Sequence, residues 1–111
     1  MTYPAITIAV ELARRLEEGI GRDLPRDPRS ARAKAMARGA ALRDTLRLGL
    51  KEGRLPHSVG LDRANRLTSE LLQTLAHEPP PQSQDIREAA SHVRSAVEAI
   101  SRTMNPFVGE E

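Results

Sequence analysis

Three histidines, fifteen carboxylates and seventeen basic groups, with no cysteine, are what this chain of 111 residues has for chemistry. His57 lies in a proline-containing stretch, His77 near the end of a helical pattern and His92 inside another. No two of them stand at the short spacing that sets two imidazoles on one helix face, and no HExxH occurs, so the ligand pattern of a zinc site is missing. His77 has a structural reason for its position, because imidazolium favours the negative end of a helix dipole. No serine sits in a GxSxG turn and no glycine-rich loop follows a strand-like run, which removes the signatures of an activated serine and of a phosphate cradle. The lack of cysteine removes disulfides, thiolate ligands and sulfur nucleophiles together. Glu11, Glu17 and Glu18 fall at helical spacing from Arg14 and Arg15 and read as surface ion pairs. The expectation is a protein that is not an enzyme and has no catalytic residue, metal site or cofactor.

What remains is the distribution of charge. Residues 22–54 hold ten of the basic side chains against four acidic ones, so a net charge of only +2 conceals one strongly basic segment. At about 100° per residue, Arg29, Arg32, Arg43, Arg47, Lys51 and Arg54 form one stripe of a helix, with Ala31, Ala35, Gly39, Leu42, Leu46, Gly49 and Leu50 on the face beside it. The plainest reading is a solvated helix face, and beyond that such a patch suits an anionic partner, nucleic acid or an acidic protein surface. Reading base edges calls for Asn or Gln among the arginines, or for a short recognition helix, and the stripe has neither. Stacking on RNA would fall to Tyr3 and Phe107, both terminal. Phosphate contacts alone stay open, but an arginine rim around an apolar protein-contacting face fits the residue types better.

The element carrying the stripe is predicted over 28–52. Asp27 can cap its first amides, Pro28 suits the first helical position and Gly53 stands where the helix would end. Its small residues, with Gly39 at the centre, predict close approach of another helix. A preceding helix over 4–19 carries Ile6, Ile8, Ala9, Val10, Leu12, Ala13 and Leu16, more than one apolar stripe. Residues 5–16 are therefore expected to form a dimer surface, unless the helix simply lies across the core. GIGRDLPRD, which follows, reads as too proline-rich to be helical, with Leu24 tucked onto the core. A third helix over 59–77 is capped by Ser58 and carries Leu61, Ala64, Leu67, Leu71, Leu72 and Leu75. Pro79–Pro81 reads as a semi-rigid spacer. The fourth helix, over 84–104 with Ser83 as its cap, presents Ile86, Ala89, Ala90, Val93, Ala96, Val97, Ile100 and Met104. Residues 105–111 read as a loose tail unless Phe107 docks.

Alanine and leucine dominate, one Phe and one Tyr are present, and no apolar alternation appears, so the fold class is all-α. We expect a four-helix bundle-like single domain over 1–111, near the size where association into a homodimer adds useful burial. The apolar start of the chain lacks a basic leader and is broken from Glu11 onward, so it reads as neither a signal peptide nor a membrane span. A cytoplasmic protein with no membrane partner is expected.

In size, cysteine-free helical make-up and lack of any enzymatic motif, the chain resembles the small bacterial antiactivators that bind LuxR-type quorum-sensing regulators and block their DNA binding, the TraM and QslA kind. The likeness is one of type across the whole chain, so it transfers no residue roles. It implies a protein–protein interaction module in transcription regulation that binds and occludes a transcription factor. The high Ala, Arg and Leu usage also suits a high-GC bacterium. From the residues themselves, the expected partner contacts are Ile6, Val10, Leu42 and Leu46 as the apolar face, with Arg43 and Arg47 as its charged rim. The alternative is a nucleic-acid-binding or accessory subunit using the basic face on phosphates, and a third reading is a helical enzyme subunit or chaperone without activity of its own.

Overall fold

Prolines, glycines and short capping side chains cut residues 4–104, which the computed structural model describes, into four helices. These are α1 (Pro4–Asp23), α2 (Pro28–Lys51), α3 (Val59–Ala76) and α4 (Ser83–Met104), with no strand among the described residues. The tail beginning at Asn105, with Phe107, lies outside them, as does Tyr3.

The caps are local chemistry. Asp27 accepts the Ser30 amide at 3.2 Å and Pro28 follows as the first helical residue. Ser58 does the same for α3, accepting the Leu61 amide at 3.1 Å. The end of α2 closes as a Schellman turn: the Gly53 N–H donates to Leu50 O at 3.2 Å and the Arg54 N–H to Gly49 O at 2.8 Å. That turn requires a left-handed residue, and Gly53 supplies it at φ +73°. Leu55 then folds back over Gly49, where a Cβ would come within 2.6 Å of its Cδ1. Leu55 is buried, so this glycine is set by close approach and not by turn geometry.

The first helix runs four residues past the expected end at Gly19, through Gly21 to Asp23. Leu16, Ile20 and Leu24 continue one buried stripe at four-residue steps, and the first proline comes only at Pro25. Core contact thus carries the helix across two glycines that would weaken it in isolation. The other boundaries agree with the sequence pattern to within a residue, and Ser83 is the first residue of α4 instead of its cap, the Gln82 carbonyl accepting the Asp85 and Ile86 amides.

Each helix packs on the next, and α4 closes against α1. Neighbours run antiparallel. Between α1 and α4, Arg14 meets Glu98 while Glu17 meets Arg94, so positions fall on one helix as they rise on the other. Arg32 near the start of α2 reaches Glu78 just beyond α3, and Gly60 at the start of α3 abuts Ile100 near the end of α4. This is an up-down-up-down four-helix bundle. One pole gathers the start of α1, the end of α2, the start of α3 and the end of α4.

The core is thin-walled, built from Leu, Ile, Val and many alanines. Ala31, Ala35, Gly39, Leu42, Leu46 and Gly49 of α2 face it, as their spacing implies. Ile6, Leu42 and Leu46 are completely buried within the chain. They were expected as partner contacts, and the bundle corrects that: the strongest apolar stripe of each helix is spent on its own neighbours. In α3 the sequence reading overlooked Thr68, which is fully buried because its hydroxyl donates to Ala64 O at 2.7 Å and needs nothing else. Among the described residues, no helix is long and apolar enough to cross a membrane.

Candidate interaction surface

Of the six expected contact residues, three are accessible. Val10 is partly covered on α1, Arg43 is half-buried on α2 and Arg47 is exposed four residues later. Ile6 and Val10 stand on α1, Leu42, Leu46, Arg43 and Arg47 on α2, and only the last pair belongs to one continuous surface.

That surface follows the seam between α2 and α3. Gly39 fixes which side of α2 looks at α3, since a Cβ there would lie 2.9 Å from Leu72 Cδ2. Arg32, Met36, Arg43 and Leu50 fall within about 60° of Gly39 at helical steps and so border the same seam, with Arg29, Arg47 and Lys51 a little further toward solvent. On α3, Asn65 stands two turns before Leu72 and shares its side. Met36 and Leu50 keep over a third of their surface exposed. The result is a strip of arginine and thioether or aliphatic side chains lying over a shallow helix–helix junction.

Three polar side-chain atoms among the described residues are out of solvent without a hydrogen-bond partner: Arg32 Nε, Arg43 Nε and Asn65 Oδ1. All three belong to this seam. Arg32 is held by Nη2, which donates to Glu78 Oε1 at 3.5 Å, leaving its Nε unused. Arg43 Nε lies 3.5 Å from Asp44 Oδ1, near enough for charge attraction but without hydrogen-bond alignment. Unmade hydrogen bonds of buried donors and acceptors are unfavourable, so the seam carries a local cost that the packing of the bundle offsets. Arg54 pairs with Glu52 at 3.3 Å. Arg29, Arg47 and Lys51 have no ion pair among the described residues. Asn65 was missed in the sequence, although a poor helix former in mid-helix, one side over from an apolar stripe, was a legible sign.

A second polar cluster ties α1 to α4. Arg94 donates through Nε to Glu17 at 2.8 Å and through Nη1 to Glu98 at 3.1 Å, and Arg14 Nε donates to Glu98 at 3.4 Å. The hydrogen bond to Glu98, then the charge of Glu17, raises the Arg94 pKa above its ordinary value. At Glu98, burial acts against the charged form most strongly of any single effect, but the hydrogen bonds and charges of Arg94 and Arg14 together outweigh it and hold the carboxyl below its ordinary range. The sequence reading kept Glu17 and Arg14 as partners within α1, and only the Glu11–Arg15 pair, at 2.9 Å, forms that way. These ion pairs bridge the junction of α1 and α4.

The outer side of α1 is a shallow depression lined by Ile8, Val10, Leu12, Glu11, Arg15 and, from α4, Ser101. Ile8 is 54% exposed there. The histidines stay apart: His57 Nε2 lies 3.0 Å from Asp62 Oδ2, His77 Nδ1 lies 3.0 Å from Pro79 O, and His92 is on the exposed side of α4. Among the described residues no three His, Cys, Asp or Glu side chains converge as metal ligands would. No protein-family model, no curated protein and no solved structure matches the chain.

Proposed function

We propose that the protein is a non-catalytic interaction module that binds a transcription regulator and occludes it, as the antiactivators of LuxR-type regulators that it resembles do. The observation that supports this most is the mixed character of the α2 strip, where half-buried arginines alternate with the exposed apolar side chains Met36 and Leu50. Protein interfaces favour arginine and methionine together, over a core that excludes water. The alternative, nucleic-acid binding, would place Arg29, Arg47 and Lys51 on phosphates, and the exposed apolar side chains Met36 and Leu50 beside them favour a protein partner over it.

The protein acts as a homodimer in the cytoplasm, joined through the outer side of α1, with Ile8, Val10 and Leu12 as the apolar contacts. The depression in which those residues lie supports this, since the buried side of α1 is already used by the bundle.

The test is a gel shift with purified LuxR-type regulators on their operators. Addition of the protein in equimolar amounts is expected to release the DNA while the protein itself shifts no DNA. Regulators that keep their operators, or a direct shift of DNA by this protein alone, would sink the reading.

A further inference from the structure

We infer that the α2–α3 seam accepts an acidic amphipathic helix of the partner, with its carboxylates on Arg43, Arg47 and Lys51 and its apolar side chains over Met36, Leu50 and Leu72. The inference rests on the protein-binding reading above and says which surface is used and by what chemistry.

Spacing carries the first part. Arg43, Arg47 and Lys51 follow one another at four-residue steps, a ladder rising about 6 Å per rung, which carboxylates one turn apart on a second helix can match rung for rung. Arg47 and Lys51 have no acidic partner of their own, and Arg43 has a desolvated Nε that its neighbour Asp44 fails to satisfy. A carboxylate reaching the Arg43 guanidinium makes a charge-assisted hydrogen bond that the free protein lacks. Met36 and Leu50, exposed on the same side, give the incoming helix an apolar line of about four turns. A helix laid along a junction of two helices is a recurrent mode of recognition, read out by anchors at such steps.

Asn65 borders the seam from α3. Its oxygen is buried on the α3 side of the seam and lacks a donor. A second copy of this chain is a poor occupant, since the exposed side of α4 mixes Asp85 and Glu88 with Arg87 and His92 and offers no acidic ladder.

The experiment uses the full ¹⁵N-labelled protein and a synthetic helical peptide of about five turns, with glutamates at four-residue steps along one side and leucines along the adjoining side. Amide shifts are expected to be confined to α2 and α3, including Arg43, Arg47, Leu50, Asn65 and Leu72. The charge-reversed peptide, with lysines for glutamates, and a proline-broken version are expected not to bind. Arg47→Glu with Lys51→Gln, both exposed on α2, is expected to weaken the peptide at least about tenfold with helicity retained by circular dichroism, while Arg15→Glu on α1 leaves it unchanged. Arg43→Met, which keeps the packing of the side-chain stem, is expected to weaken it too. No binding, shifts on α1 and α4, indifference to the double substitution, equal binding of the broken peptide, or displacement of the peptide by a short DNA duplex would each overturn the inference. Failure of the antiactivator reading is separable: regulators that keep their operators while the peptide still maps to the seam would remove that reading and leave this one.

Discussion

Leu46 shows how a residue can be read correctly in type and wrongly in use. Its place beside the arginine stripe was visible from periodicity, but a stripe of the right width to dock a partner is also the right width to pack a bundle, and here it is buried completely. Leu46→Ala is therefore expected to lower unfolding free energy by about 2–5 kcal/mol, as truncation of a buried leucine does. Urea denaturation followed by circular dichroism would measure it, and a loss under about 1 kcal/mol would mean that the side chain is not in the core. Glu98 makes a prediction in pH. Its carboxyl is held below the ordinary value near 4.5 in the folded chain, so the stability it contributes is fully present above that value and is lost as pH falls through the lower folded value. Glu98→Gln is expected to reduce stability near neutral pH and to flatten the fall of melting temperature on acidification below about pH 4.5. A variant with the wild-type acid profile would show that the arginine pairing does not matter to folding.

At the scale of elements, most of the architecture was legible, because caps and breakers act locally. Asp27, Pro28, Ser58 and Gly53 each do what their residue types predict. Asp27→Ala is expected to cost about 1 kcal/mol through loss of the helix cap, measured as a lower melting temperature. Gly53→Ala is expected to destabilise by about 1 kcal/mol or more, since alanine must adopt the left-handed conformation at that turn. An unchanged melting temperature in either case would mean that the helix end frays without consequence. The extension of α1 through Gly19 and Gly21 was not legible. Local propensity argued for a break there, and burial of Ile20 and Leu24 on other helices overrode it. The ion bridges of Arg94 and Glu98 escaped for a related reason, since their partners are separated by a length of chain that no local spacing rule spans.

For the whole molecule, the exposed apolar side chains are the clearest departure from an ordinary bundle surface. Ile8, Leu48, Leu50 and Val59, the last 87% exposed, all fall toward the pole where α1 and α3 begin and α2 ends. If α1 carries the dimer contact, Ile8→Glu is expected to convert a dimer to a monomer without loss of helicity, measured by size exclusion with light scattering. A wild-type monomer at micromolar concentration would remove the dimer. The sequence by itself determined the helical class, the number of helices, nearly all of their ends and the basic strip on α2, because periodicity, caps and charge are properties of short stretches. Only the tertiary structure decided which apolar residues are left outside. Every helix carries enough apolar surface for more than one neighbour, and the closed antiparallel order takes Ile6, Leu42 and Leu46 inward while leaving Arg43, Arg47 and Asn65 along a seam. The competition among apolar faces is settled by the packing of the whole chain, which spacing along one helix does not contain.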